Sequence, residues 1–317
     1  MLPFELSLAS AVDYLAARGI YATSVHELGG GISNAVILAK TSTQGIVIKQ
    51  SLGKLRVEQD WFSDRERIHR ECDAIRMLSS LAVPAIVFED RDNCIFGMTA
   101  APPSARPWKS ILLEDRLVDP HTVAQTAALL GRMIEVSRGQ AAFAQRFSDT
   151  TVFDQLRLDP YYRATATRHP DLASFFADLI TETLGRRYAL MHGDWSPKNL
   201  LVSPDAVTAI DFEVVHYGDP AFDIAFLINH LLLKSLYLKR RDFVDAALAF
   251  LAALQRTIDE TWLEPAVLRH LGALMLARVD GKSPAEYIHG TALEPQVRTL
   301  AREIIRRPVI ATIKRLR

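Results

Sequence analysis

The chain is poor in cysteine: Cys72 and Cys94 are the only two among 317 residues. That excludes a disulfide-stapled scaffold, and neither cysteine has the spacing of a zinc site. Both sit in apolar surroundings, as buried free thiols of a reducing compartment do. An excess of charge of either sign is also missing, with 37 Lys plus Arg against 37 Asp plus Glu. No global field favours nucleic acid or a membrane surface as partner. The most apolar stretch, 220–238, is interrupted by Asp223, Asn229, His230 and Lys234, a set that a bilayer core does not normally accept. The first ten residues, MLPFELSLAS, carry an acid, no base and no long apolar core, so they do not read as a signal peptide. A cytoplasmic location is expected. Repeats and low-complexity tracts are absent. The basic residues near the end, from Arg302 to Arg317, are spaced through apolar ones and read as a solvated helix face.

What is present is ordinary in bulk, with 49% hydrophobic and 23% charged residues, and the length suits two lobes, each with a core. The spacing predicts a helix over 7–18, with an apolar face of Leu8, Val12, Leu15 and Ala16 stopped by Gly19. Strands are expected at 21–28, 35–39 and 46–49, as a meander with a glycine-rich turn at 29–34. A helix with an apolar face of Ile68, Cys72, Ile75 and Leu78 follows a capping box from Ser63 to Glu66. Strands at 83–88 and 94–99 complete this part. Beyond it the composition turns helical, at 122–137, 172–184 and after 240. Strands first and helices after form the α+β pattern. The expected division is 1–101 and 102–317.

The chemistry concentrates between Tyr188 and Lys234. A short apolar run delivers His192-Gly193-Asp194 into a loop, and Asn199 follows Asp194 by five positions. Two short strands, 200–202 and 207–210, turn at Ser203-Pro204-Asp205, and the second ends on Asp211-Phe212-Glu213. Strand ends emerging side by side would gather Asp194, Asn199 and Asp211 around one small volume. This matches the template for phosphoryl transfer. One carboxylate orients the attacking hydroxyl. A second carboxylate and an amide oxygen suit Mg²⁺, which takes few protein ligands. Glu213 shares a side of an extended segment with Asp211 and is a further candidate for metal or substrate. The Gly30-Gly31-Ile32-Ser33-Asn34 turn lacks the Gly-Lys-Ser/Thr ending of a Walker loop and opens no helix. It is a candidate phosphate loop, with Gly30, Gly31, Ser33 and Asn34 as donors, or a plain hairpin tip.

His-Gly-Asp, the downstream Asn, Asp-Phe-Glu and the Phe-Asp-Ile-Ala that follows resemble the aminoglycoside phosphotransferase and choline kinase superfamily, small-molecule kinases with the protein-kinase fold. The resemblance implies a bilobal α+β protein-kinase-like fold. Its small antiparallel β-sheet N-lobe carries one key helix, and the larger C-lobe is mostly helical. It implies ATP and Mg²⁺ as cofactors, with Asn199, Asp211 and Glu213 toward the metal. Lys49 would meet the phosphates and Glu71, and the hinge Met98, Thr99 and Ala100 would meet the nucleotide base. Asp194 would orient the substrate, His192 and Asp223 would support the loop, and Asp223 would accept hydrogen bonds from it. The stretch IVIKQSLGKLRVEQDWFSDRERIHRE is similar to the methylthioribose kinase family, with Lys49-Gln50, Arg56, Trp61, Asp64-Arg65 and Glu71 at matching places. Trp61 and Arg278 are the corresponding candidates for substrate binding. That family has an Arg pair where this chain has Ala277-Arg278, and Asp-Pro-Glu where this chain has Asp-Phe-Glu.

The expected activity is ATP-dependent phosphorylation of a hydroxylated small molecule, a sugar such as methylthioribose or a related metabolite. Aminoglycoside or amino-alcohol acceptors stay open, as does a nucleotide-binding regulator without turnover. A metal-dependent hydrolase using His192, Asp194, His216 and Asp219 is a further alternative. Nucleic acid and membrane are not expected partners, and a homodimer is compatible with the sequence.

Overall fold

The computed structural model of the chain describes residues 4–29, 34–53 and 64–316. Contacts divide them into two units, one running to Ala105 and including Thr208–Val214, the other comprising Arg106–Val207 and the chain from Val215. The segment carrying Asp211 is thus grouped with the first unit, where a contiguous division at residue 101 assigns it to the second.

The first unit is built on helix α1 (Leu8–Ala16), strands β1 (Ser24–Glu27), β2 (Asn34–Lys40) and β3 (Gly45–Ser51), helix α2 (Arg67–Met77), and strands β4 (Ile86–Asp90) and β5 (Ile95–Thr99). The strands form one sheet in the order β1-β2-β3-β5-β4, antiparallel throughout. Alternation along β3 organises it. Ile46 and Ile48 join a cluster with Ala11, Tyr14, Leu15, Ile37 and Ile95 under α1. Gln50, in phase with them, ties down the incoming chain: its Oε1 accepts from the Leu6 N–H at 2.7 Å and its Nε2 donates to the Phe4 carbonyl at 2.8 Å. Lys49, out of phase, points to the other face, where α2 packs on β3, β4 and β5.

Two local expectations are corrected. Leu8 and Val12 are 44% and 41% exposed, and α1 instead buries Ala11, Tyr14 and Leu15. The Tyr14 hydroxyl donates to Asp90 Oδ2 at 2.6 Å, which turns that face to the sheet. Helix α2 begins at Arg67, and its N-cap Glu66 makes no side-chain capping bond. Asp64 accepts the Glu66 N–H at 2.9 Å, and Ser63, the other half of the expected box, lies outside the described residues.

The second unit contains α3 (Pro120–Ser137), α4 (Ala173–Gly185), β6 (Ala189–Met191), β7 (Leu200–Val202), β8 (Val207–Ala209, where the chain passes into the first unit), β9 (His216–Gly218), α5 (Pro220–Leu238), α6 (Asp242–Thr257), α7 (Leu263–Asp280) and α8 (Glu294–Arg306). A π-helical segment, Asp154–Arg163, lies between α3 and α4. β6 and β9 pair antiparallel with Met191 opposite His216. Asp219 caps α5 by accepting the Ala221 N–H at 2.9 Å, and Pro220 occupies the first helical position. α5 is apolar almost all round because α6 and α7 both pack on it. Among the described residues it alone is long and apolar enough to cross a membrane, and 78% of that window is buried inside the protein.

α7 and α8 approach closely at Gly272. A β-carbon there would lie 2.8 Å from Ile305 Cγ1 and 3.1 Å from the Ala301 carbonyl oxygen. Gly272→Val should therefore force the helices apart at a cost of about 2–3 kcal/mol. Urea titration should show a lower midpoint at unchanged slope.

Candidate active site

The loop after β6 is held from beneath by α5. Asp223, in the first turn of that helix, accepts the His192 N–H at 2.7 Å and the Gly193 N–H at 2.9 Å. Gly193 has φ 76°, a region that a β-carbon disfavours, so glycine stands between the His and the Asp. Its carbonyl accepts from Arg157 Nε at 2.8 Å. The same guanidinium reaches Asp194 Oδ2 at 2.8 Å, and Lys198 Nζ reaches that oxygen at 3.0 Å. Burial opposes the charge of Asp194, but Arg157, Lys198 and His192 outweigh it and hold the carboxyl at about 2. For Asp223 burial wins and pushes the carboxyl up to about 7, against the two N–H groups that favour its charge. Asn199 Nδ2 donates to the Asp194 carbonyl at 3.0 Å, which commits its nitrogen and leaves its oxygen as the atom to offer a metal. His192 is buried, and its Nδ1 accepts the Asp194 N–H at 3.2 Å.

The first unit has a second polar cluster. Lys49 Nζ lies 2.7 Å from Glu71 Oε2 and 2.5 Å from Asp211 Oδ1. Glu213 Oε2 accepts from Arg67 Nε at 3.1 Å and from Asn34 Nδ2 at 2.9 Å. Burial opposes the Lys49 charge, but Asp211, Glu71 and Glu213 together raise its pKa, so the ammonium persists. Burial also pushes Glu71 up, with Asp211 and Glu213 adding to it and Lys49 opposing. Among the described residues three carboxylates thus meet two cations, Lys49 and Arg67. The Asp211 side chain keeps 24% exposure. Surplus negative charge, hard oxygen donors and a reachable carboxylate fit a divalent cation such as Mg²⁺.

Several of the candidate residues hold protein partners. Glu213, a candidate for metal or substrate, accepts from Arg67 and Asn34. The backbone is not extended at this point, since Asp211 has φ 70°. Asn34, expected as a phosphate donor, gives its amide to Glu213. Arg278 braces the turn after α7, donating to the Ser283 carbonyl, and at 3.0 Å to Ser283 Oγ. In the hinge, Met98 is buried in β5, the Thr99 N–H is taken by Ala85 O and the Ala100 N–H by Gly45 O, both at 2.9 Å. Ala101, ahead of Pro102 and Pro103, is the next backbone donor. Gly30, Gly31, Ser33, Arg56 and Trp61 lie outside the described residues. Arg157 and Arg67 were not foreseen, because pairings this distant in sequence leave no spacing signal.

The hydrolase alternative loses its ligand set. His216 stacks on Phe153 at 4.0 Å between centroids, and Asp219 caps α5 while pairing with Arg186. Among the described residues, the group of His, Cys and carboxylates that converges is Glu66, His69 and Cys94.

Residues 24–237 match the model of the phosphotransferase enzyme family. The chain belongs to that family. Methylthioribose kinase 2 of Oryza sativa subsp. japonica is 27% identical over 288 residues, covering 80% of this chain and 67% of the relative. Methylthioribose kinase of Geobacillus kaustophilus is 26% identical over 269 residues, covering 74% and 65%. The chain spans about two thirds of the length of these curated relatives. A solved amicoumacin kinase in complex with AMP-PNP, Ca²⁺ and Ami superposes with a TM-score of 0.60 at 15% identity, covering 95% of this chain and 94% of that one. This likeness shows the protein-kinase-like α+β fold. The class is that of small-molecule phosphotransferases.

Arg157→Met should deprive the buried Asp194 charge of its strongest cationic neighbour, costing about 3 kcal/mol. Arg157→Met with Asp194→Asn should recover most of that loss in chemical denaturation, since the charge to be compensated is gone.

Proposed function

We propose that the chain transfers the γ-phosphate of ATP to a hydroxyl of a small molecule, with Mg²⁺ as the metal. The observation that most supports this is Lys49 held between Glu71 and Asp211, the arrangement that phosphoryl transfer requires of a phosphate-binding lysine. Lys49 pairs with the phosphates and Glu71 fixes its direction. Asp211 offers a carboxylate oxygen and Asn199 an amide oxygen to Mg²⁺, which when bound neutralises phosphate charge. The acceptor oxygen bonds to the γ-phosphorus as the bond to ADP breaks, and the hydroxyl proton leaves by way of Asp194 to solvent. With its carboxyl held at about 2, Asp194 works mainly by orienting and polarising the O–H, a positioning effect rather than strong basicity.

The Ala101 N–H and nearby carbonyls serve the nucleotide base, because the Thr99 and Ala100 N–H groups are taken within the sheet. Only residues 212–219 link Asp211 to α5. That is too short to seat a polypeptide, so the acceptor is small. The named relatives make a sugar such as methylthioribose the leading candidate. Amino-alcohols are the runner-up class.

Asp194→Asn should lower turnover by about 10²–10⁴-fold while a fluorescent ATP analogue still binds. Asp211→Ala should abolish the Mg²⁺-dependent part of that binding. Unchanged ADP release by Asp194→Asn would reject the role given to that side chain.

A further inference from the structure

We propose that the acceptor carries an anionic group, which Lys234 receives together with Arg278 while Asp194 holds the reacting hydroxyl. This deepens the kinase reading and rests on it, since it takes Asp194 as the place of the chemistry, and it narrows the sugar class to its acids, in place of neutral methylthioribose and of the amino-alcohols.

Lys234 lies on the face of α5 that begins at Asp223 and continues through Phe226 and His230, whose rings meet at 5.3 Å. Lys234 stands eleven positions after Asp223, about 16 Å of helix. Its exposure is 1%. The ammonium has two polar neighbours, the His230 carbonyl and the Tyr287 hydroxyl, each at 3.4 Å, beyond ordinary hydrogen-bond length. The Tyr287 ring covers it at 5.2 Å. Among the described residues, no carboxylate lies within ion-pair distance of Lys234. The charged groups that face it are Arg278, Lys109 and Glu286, and Lys109 already holds Glu286 at 2.5 Å.

Such a lysine is costly in a folded protein unless something answers its charge. A core without that duty accepts Met or Leu. The surroundings are cationic as far as the catalytic loop. His230 is kept neutral by burial and by Lys234, Arg278, Lys198 and Lys109. Tyr161 feels Arg278, Arg157 and Asp194 together, which joins the cluster to Asp194. Burial, Arg278 and Lys109 pull Lys234 down to about 7, so an arriving anion would restore its proton. The same cations repel aminoglycosides and choline.

The test measures ADP release with matched acceptors: glycerol and glycerate, glucose and gluconate, ribose and ribonate, with choline and kanamycin alongside. The acid of at least one pair should exceed its neutral partner at least tenfold in kcat/KM, with both cations below. Lys234→Met should melt no lower than wild type, since it removes an unanswered charge, and should raise KM for the best acid at least tenfold without changing KM for Mg·ATP. In wild type that KM should climb from pH 7 to 9 as Lys234 loses its proton, and Lys234→Arg should abolish the climb. The proposal is overturned if the best acceptor is neutral or cationic. It is also overturned if Lys234→Met leaves KM for the acid unchanged, or if no acid is used while Mg·ATP still binds. Failure of the kinase reading looks different: wild type and Lys49→Met would both ignore a fluorescent ATP analogue. Calorimetry with gluconate and glycerate then decides, binding heat lost in Lys234→Met supporting the anion site and absence of heat in wild type refuting it.

Discussion

The catalytic loop depends on a buried carboxylate that accepts two backbone N–H groups. Asp223 has no solvent to stabilise its charge, and the N–H groups of His192 and Gly193 are what it receives instead. The exchange is reciprocal. Two donors that a tight turn would otherwise orphan find an acceptor, and an acid that a core would otherwise reject finds donors. Because Asp223 belongs to the first turn of a nineteen-residue helix enclosed by two others, the loop inherits the rigidity of a helix buried along most of its length. The position of Asp194 is thereby fixed by helix packing rather than by the loop itself.

Charge is distributed unevenly between the two units, although the chain as a whole is neutral. In the first, Lys49 and Arg67 are outnumbered by Glu71, Asp211 and Glu213. In the second, Asp194 is surrounded by Arg157 and Lys198, with further cations beyond. A carboxylate surplus suits a metal, and a cation surplus suits an anion. Composition averages these to zero, so the balance that argues against nucleic acid and membrane partners is silent about the local fields.

What could be read from the sequence was mostly what is local in it. Asp219-Pro220 carries its cap within two residues, His-Gly-Asp carries its left-handed glycine, and the period-two pattern of β3 separates Lys49 from Gln50. Each signal is complete within one turn or one strand. Arg157 and Arg67 escaped because their partners lie 36 and 146 residues away. No spacing rule distinguishes Arg67 from its neighbours in RERIHRECD. The bonds of Glu213 were hidden for a different reason: alternation holds only while the backbone stays extended, and the positive φ of Asp211 ends it. The face of α1 was misjudged because two leucine-spaced stripes compete, and the bond from Tyr14 to Asp90 chooses between them.

Helix α2 is fastened to its sheet at two separate points, by Glu71 through Lys49 and by Arg67 through Glu213. Both fastenings are buried, and Glu213 stands on the same short segment as Asp211. Swinging the helix outward would break two buried ion pairs at once, at several kcal/mol each. Helix α2 and the strand that carries Lys49 should therefore shift as one piece.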